Sequence, residues 1–283
     1  MAKAIMTAVM FVFFVVTPCF ADFRFAVMGD TRDYSKDGIN VKIMKIILER
    51  VKSEKPDFIV VTGDMITGSA KSNIHAQRLN RWKGIIEKHG IPFYIGIGNH
   101  EVESELSENI LRAVFEMPEN GPLGFKELAY SFDYKNCHFI MLDTSAFNNF
   151  HSVDGLQLEW LKEDLDRNSN KTIFVFGHDP AYPVHDHIGS SLDKYPERRD
   201  ELWNLFKKYK ISAYICSHEH LYNRSIHEGI YQIISGGSGA HISAPIDKGG
   251  FNNFLIIDVK DNGSAAITVK DKKGAVKDID IVK

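Results

Sequence analysis

Five times along this chain an apolar run stops at a glycine or serine and is followed by a side chain able to bind a metal ion. The runs are Phe23 to Met28, Phe58 to Thr62, Phe93 to Ile97, Ile173 to Phe176 and Ile211 to Cys216. The side chains beyond them are Asp30, Asp64, Asn99 with His100, His178, and His218 with His220. Such short runs read as buried strands. In an α/β sheet, ligands bind in the crevice at the carboxyl ends of the strands, so distant loops can converge there. Asp30 and His220 stand 190 positions apart, and a fold that gathers strand ends is what could make one site of them. Asp, Asn and His together are the donor mix expected for Zn, Mn or Fe.

Between the runs lie helical patterns. Ile39, Ile43, Ile47 and Val51 recur four apart, a helix is read around Arg78 to Lys88, and Glu197 to Lys208 is helical. Leu156, Trp160, Leu161 and Leu165 are read as one helix face. Residues 103 to 128, with Pro118, Gly121, Pro122 and Gly124, form an excursion beside the sheet. Tyr130 to Tyr134 and Cys137 to Leu142 form a hairpin across Lys135-Asn136, and strand-like runs follow at Tyr231 to Ile234, Phe254 to Val259 and Ala266 to Val269. Strands alternating with amphipathic helices predict an α/β sheet covered by helices. No repeat or linker marks a second domain, so residues 22–283 are read as one.

The first residues read as an export signal. Lys3 precedes the apolar stretch Ala4 to Val16, and Cys19-Phe20-Ala21 offers a small residue for cleavage after Ala21. The stretch is 13 residues long, too short for a membrane span, which needs about 20. A lipid anchor through Cys19 is disfavoured by Pro18, and no later segment is apolar enough to span. The chain is therefore expected to be exported, with residues 1–21 as signal peptide. Losing Lys3 would move the formal charge only from −3 to −4, which specifies no partner. The 34 Lys and Arg are interleaved with 37 acidic residues, so no nucleic-acid groove is indicated. Cys137 and Cys216 sit in apolar runs; export permits a disulfide, but two buried free thiols are the preferred reading.

Gly29-Asp30, Gly63-Asp64, Gly98-Asn99-His100-Glu101, Gly177-His178 and His218-Glu219-His220, in this order, resemble the calcineurin-like metallophosphoesterase family, which includes the purple acid phosphatases. The resemblance covers roughly residues 23 to 240. It implies an αββα sandwich with a two-metal centre at the strand ends, the ions being Mn, Fe or Zn. Asp64 would bridge both ions, Asp30 and His220 would hold the first, and Asn99, His178 and His218 the second. Two cations can clamp phosphoryl oxygens and supply hydroxide near neutral pH. By the same resemblance His100 faces the substrate and protonates the leaving oxygen, and the substrate is a small phosphate mono- or diester.

The first metal site departs from the family pattern. The His usual two residues after the first Asp is here Arg32, and the Tyr that replaces it in purple acid phosphatases is here Thr67. A guanidinium has no lone pair and cannot be a ligand. Arg32 is read as binding phosphate, the alternative being an ion pair with Asp33 or Asp37. His185 or His187 is a candidate for the missing ligand, and their loop, with Tyr182 and Tyr195, should flank the cleft. Glu101 is read either as orienting His100 or as an ordinary loop carboxylate, and His138 as a packing residue. The competing function is a non-catalytic metal- or phosphate-binding protein with a degraded first site.

Overall fold

The computed structural model describes residues 22 to 282, so the expected signal segment lies outside the described residues. The chain runs β1 (Phe23–Met28), α1 (Val41–Ser53), β2 (Phe58–Val61), α2 (Ser72–Ile86), β3 (Phe93–Ile95), α3 (Ser107–Val114), β4 (Tyr130–Tyr134) and β5 (Cys137–Met141). It continues through the small hairpin β6 (Ser145–Ala146) and β7 (Asn149–Phe150) to α4 (Gly155–Arg167), β8 (Thr172–Phe176), α5 (Pro196–Tyr209) and β9 (Ala213–Cys216). The last strands are β10 (Tyr222–His227), β11 (Ile230–Ser235), β12 (Asn253–Val259), β13 (Ala265–Asp271) and β14 (Val276–Val282).

Two six-stranded sheets result, ordered β14-β13-β12-β1-β2-β3 and β10-β11-β9-β8-β5-β4. Alternation along the strands builds the layers. Phe25, Val27, Phe58 and Val60 of the first sheet meet Phe139, Phe174, Phe176 and Ile215 of the second in one apolar cluster between the sheets. Phe25 lies parallel to Phe58 at 5.3 Å, and both meet the ring of Phe139 edge-on. The other faces of the same strands are covered by helices. Ala26, Met28, Ile59 and Val61 pack with residues of α1 and α2, and Ile140, Ile173, Val175 and Tyr214 with residues of α4 and α5. The expected αββα sandwich is therefore present. Within each sheet the strands that carry the motifs are mutually parallel, so their carboxyl ends share one end of the molecule.

Several local expectations change. Helix α2 begins at Ser72, six residues before the predicted start, because Lys71 at its cap makes no side-chain cap and so gives no signal. Leu156 is 54% exposed, and the buried face of α4 is Leu158, Trp160, Leu161 and Leu165. Strands β6, β7, β10 and β14 were not anticipated. Cys137 packs between the sheets and Cys216 beneath the helices, so the two thiols stay free in separate layers. Among the described residues no helix is long and apolar enough to cross a membrane.

Candidate metal centre

The motif glycines are required by close approach. A Cβ on Gly98 would lie 2.4 Å from Asp64 Oδ1, and one on Gly63, whose φ is +94°, would lie 2.8 Å from His178 Nδ1. Only glycine lets the loops after β2 and β3 close on each other. Asp30, Asp64 and His218 adopt positive φ of 56°, 50° and 68°. This conformation is uncommon for non-glycine residues and is held by the packing around it. The two sheets are joined here, since the His218 amide donates to Asp30 Oδ2 at 3.1 Å.

Hydrogen bonds to carbonyls fix the imidazole tautomers, because a carbonyl only accepts. His178 Nδ1 donates to Thr62 O (2.8 Å), and His218 Nε2 donates to Ser190 O (3.0 Å). The lone pairs are then on His178 Nε2 and His218 Nδ1, which face each other at 3.1 Å. Asn99 Oδ1 lies 3.2 Å and Asp64 Oδ1 3.4 Å from that same His178 nitrogen. Three potential ligand atoms thus lie 3.1–3.4 Å from His178 Nε2, a separation that suits neighbours bound about 2.1 Å from one ion. Burial disfavours a charged ring at His178, yet the carboxylates of Asp64, Asp30 and Asp179 outweigh it and raise the ring to about 9, so the pocket attracts positive charge. Burial likewise raises Asp64, but His178, His100 and Arg32 overcome it and hold the carboxyl well below the usual range.

The other half of the site is built differently. His220 Nδ1 donates to His241 O (3.0 Å), which leaves the lone pair on Nε2, 3.4 Å from Asp30 Oδ1. Asp30 Oδ1 is buried without a hydrogen-bond partner. Asp30, Asp64 and His178 form one of two groups among the described residues whose ligand atoms lie within 4.8 Å of one another. Arg32 enters this half. Its Nε donates to Asp64 Oδ2 at 3.0 Å, its Nη2 approaches His220 Nε2 at 3.4 Å, and the residue is only 7% exposed. The sequence alternatives for its partner do not hold: Asp37 pairs with Arg81, and Asp33 accepts from the Ser35 amide.

Around this centre, the His100 amide donates to Asp64 Oδ1 at 3.0 Å, and the ring is depressed by burial and by Arg32 and His178 against the pull of Asp64. Glu101 fits neither expectation. It is fully buried and accepts the amides of Asp64 (2.8 Å), Gly98 (2.9 Å) and Ile66 (3.0 Å), tying two ligand loops together. Burial and the Asp64 charge push it up to about 8, against those amide donations. Glu219 plays a similar part for the 184–187 loop, accepting the amides of Val184 and His185. His187 stacks on the ring of His218 at 3.8 Å, whereas His185 Nε2 faces Ser243. His138 is buried with its nitrogens 2.7 Å from Asp133 and Asp164, a structural pairing away from the strand ends. The sequence reading missed Asp179 and His151, which with His218 form the second candidate ligand group. The signal for Asp179 was its place directly after His178, as part of the same strand-end loop.

Comparisons with known proteins agree with this construction. The family described as calcineurin-like phosphoesterase matches residues 23–222. Purple acid phosphatase 23 of Arabidopsis thaliana is 30% identical over 140 residues, covering 47% of this chain and 29% of the relative. A probable cyclic nucleotide phosphodiesterase of Psychrobacter is 22% identical over 251 residues, covering 84% of this chain and 70% of the relative. The structure of a purple acid phosphatase from yellow lupin (Lupinus luteus) superposes with a TM-score of 0.72 at 18% identity, covering 92% of this chain and 53% of that one. The chain thus spans less than a third of the length of its Arabidopsis relative. With 200 of its residues, 23 to 222, matching the family and every motif loop at one end of the sandwich, the chain belongs to the calcineurin-like phosphoesterases.

Proposed function

We propose that this chain hydrolyses small phosphate mono- or diesters with the help of metal bound at the strand ends. The observation that carries the reading is that Asp64 Oδ1, Asn99 Oδ1 and His218 Nδ1 all lie within 3.4 Å of His178 Nε2, the ring nitrogen left free by the bond from Nδ1 to Thr62 O. A metal ion bound there supplies Lewis acidity toward a phosphoryl oxygen and acidifies water. The family as a whole implies two ions; the Asp30 and His220 side offers a second place, shared with Arg32. His100, whose amide donates to Asp64 Oδ1 and whose Nδ1 lies 4.0 Å from Glu103, is the residue we assign to hand a proton to the leaving oxygen. Arg32 presents a permanent positive charge to a non-bridging oxygen.

We take residues 22–283 as one catalytic domain, because β12, beyond the matched segment, pairs with β1 inside the first sheet. The names of the relatives span phosphatases and a phosphodiesterase, so both ester types belong in the test. Protein stripped of metal should be inactive on p-nitrophenyl phosphate and bis-p-nitrophenyl phosphate, and Mn, Zn or Fe should restore turnover that Asn99→Ala loses. The competing reading, a binding protein without turnover, is favoured by the Arg32 contact with Asp64. It would be established by tight metal uptake with no hydrolysis of either ester under any metal.

A further inference from the structure

We infer that the guanidinium of Arg32 takes the place of the first metal ion, so that the chain binds one cation tightly, at Asp64, Asn99, His178 and His218, and completes the site with its own side chain. The inference rests on the metal-dependent reading above and concerns the number of ions.

An imidazole nitrogen has a single in-plane lone pair. At His220 the proton is on Nδ1, held by His241 O, so Nε2 is the only atom this ring could give to an ion. That atom is the one Arg32 Nη2 approaches at 3.4 Å. Asp64, the expected bridge between two ions, has its Oδ2 engaged by Arg32 Nε at 3.0 Å, while its Oδ1 points to the His178 side at 3.4 Å. With a metal ion held on the His178 side, the Asp64 carboxylate would still face two cations, one of them the Arg32 guanidinium. Of the expected first-ion ligands, only Asp30 Oδ1 has no competing donor.

Arg32 is not a surface side chain that has folded inward by chance. It is 7% exposed, its amide donates to Asp64 O at 3.2 Å, and it bridges to Ile39 across the loop. An ion entering beside it would meet a charge that cannot be removed by deprotonation. Of the expected replacement ligands, His185 Nε2 faces Ser243, and His187 stacks against the ring of His218 with its own ring 6.1 Å from that of His220. A guanidinium here keeps the positive charge that phosphate needs and offers a planar fork for its oxygens.

The test is metal stoichiometry, independent of activity. Metal-free wild type is loaded with Mn(II), dialysed, and assayed for manganese per chain by mass spectrometry and for electron paramagnetic resonance. The expected wild-type result is one Mn per chain with the six-line spectrum of an isolated ion. Arg32→His, which restores an imidazole, should bind two Mn per chain and show the multiline spectrum of an exchange-coupled pair. Arg32→Gln, which removes the charge with little change of shape, should also gain a second ion, of weaker affinity, and serves if the His variant does not fold. Two coupled ions in the wild type, or one ion in both folded variants, would overturn the inference. Wild type that retains no Mn, Zn or Fe at all overturns the metal-dependent reading itself, an outcome distinct from finding two.

Discussion

Glu101 carries three backbone amides on one carboxylate, two from the loop after β2 and one from the turn after β3. Replacing it with Gln puts an NH2 group against an N–H donor in a buried place. Glu101→Gln should therefore lose about 2–3 kcal/mol of stability, read by urea denaturation, since a donor left unsatisfied in the interior costs its desolvation; a loss under 0.5 kcal/mol would show that the carboxylate is not the clasp. Gly98 acts on the same loop by size. Gly98→Ala would press a methyl group toward Asp64 Oδ1, 2.4 Å from the ideal Cβ position. A displacement near 1 Å at a reacting centre lowers kcat/KM by about 100-fold, which p-nitrophenyl phosphate assays would detect, and a variant within threefold of wild type would refute the steric role. These two residues also show what a sequence makes legible. Gly98 and Asn99 announce themselves by recurrence after an apolar run, whereas the role of Glu101 depends on amides 35 and 37 positions away, which no local pattern contains.

At the scale of elements, the parallel strands were legible because both faces are buried and their sequences are almost wholly apolar. Of the strands that were missed, β10 and β14 are edges of the two large sheets with polar sequences. Tyr222-Asn-Arg-Ser-Ile-His reads as a loop until its partner is known, and that partner is Ile230–Ser235. The two edges lie on the same side of the sandwich and are linked by side chains: Arg224 pairs with Asp278 and Asp280, and Tyr222 Oη donates to Asp278. Burial raises Asp278, but the hydrogen bonds from Arg224 and Tyr222 win and lower it below 3.8. A carboxyl with a depressed folded pKa binds fewer protons folded than unfolded, so its contribution is present above the unfolded pKa and lost as pH falls through the folded one. The groups are about one-third exposed, and the pair is worth on the order of 1 kcal/mol after screening by water. Arg224→Met should lower stability by that amount at pH 7, and the difference from wild type should shrink as pH falls below the ordinary aspartate range and through the depressed folded pKa. A difference that persists unchanged in acid would assign it to lost packing of the arginine stem instead.

The whole molecule has two sheets packed on an aromatic layer, with the candidate metal centre spanning both at one end. The ligand candidates divide between them: Asp64 and Asn99 follow strands of the first sheet, His178 and His218 strands of the second. A cation bound by all four is a cross-link between sheets, and it is lost on unfolding together with the loops that form it. A ligand that binds only the folded state stabilises it by RT ln(1 + [L]/Kd), about 4 kcal/mol at a thousandfold excess over Kd. For a domain of this size each kcal/mol moves Tm by about 2–4 °C, so stripping the metal should lower Tm by on the order of 10 °C. The aromatic layer built on Phe25, Phe58, Phe139 and Phe174 does not depend on the ion. Amide exchange should therefore accelerate in the loops at 29–31, 63–67, 98–102, 177–179 and 217–220 while the middles of β1, β5 and β8 stay protected. Uniform acceleration across both sheets would mean that the ion holds the entire fold, and no change in Tm would mean that the sheets are joined by the aromatic layer alone.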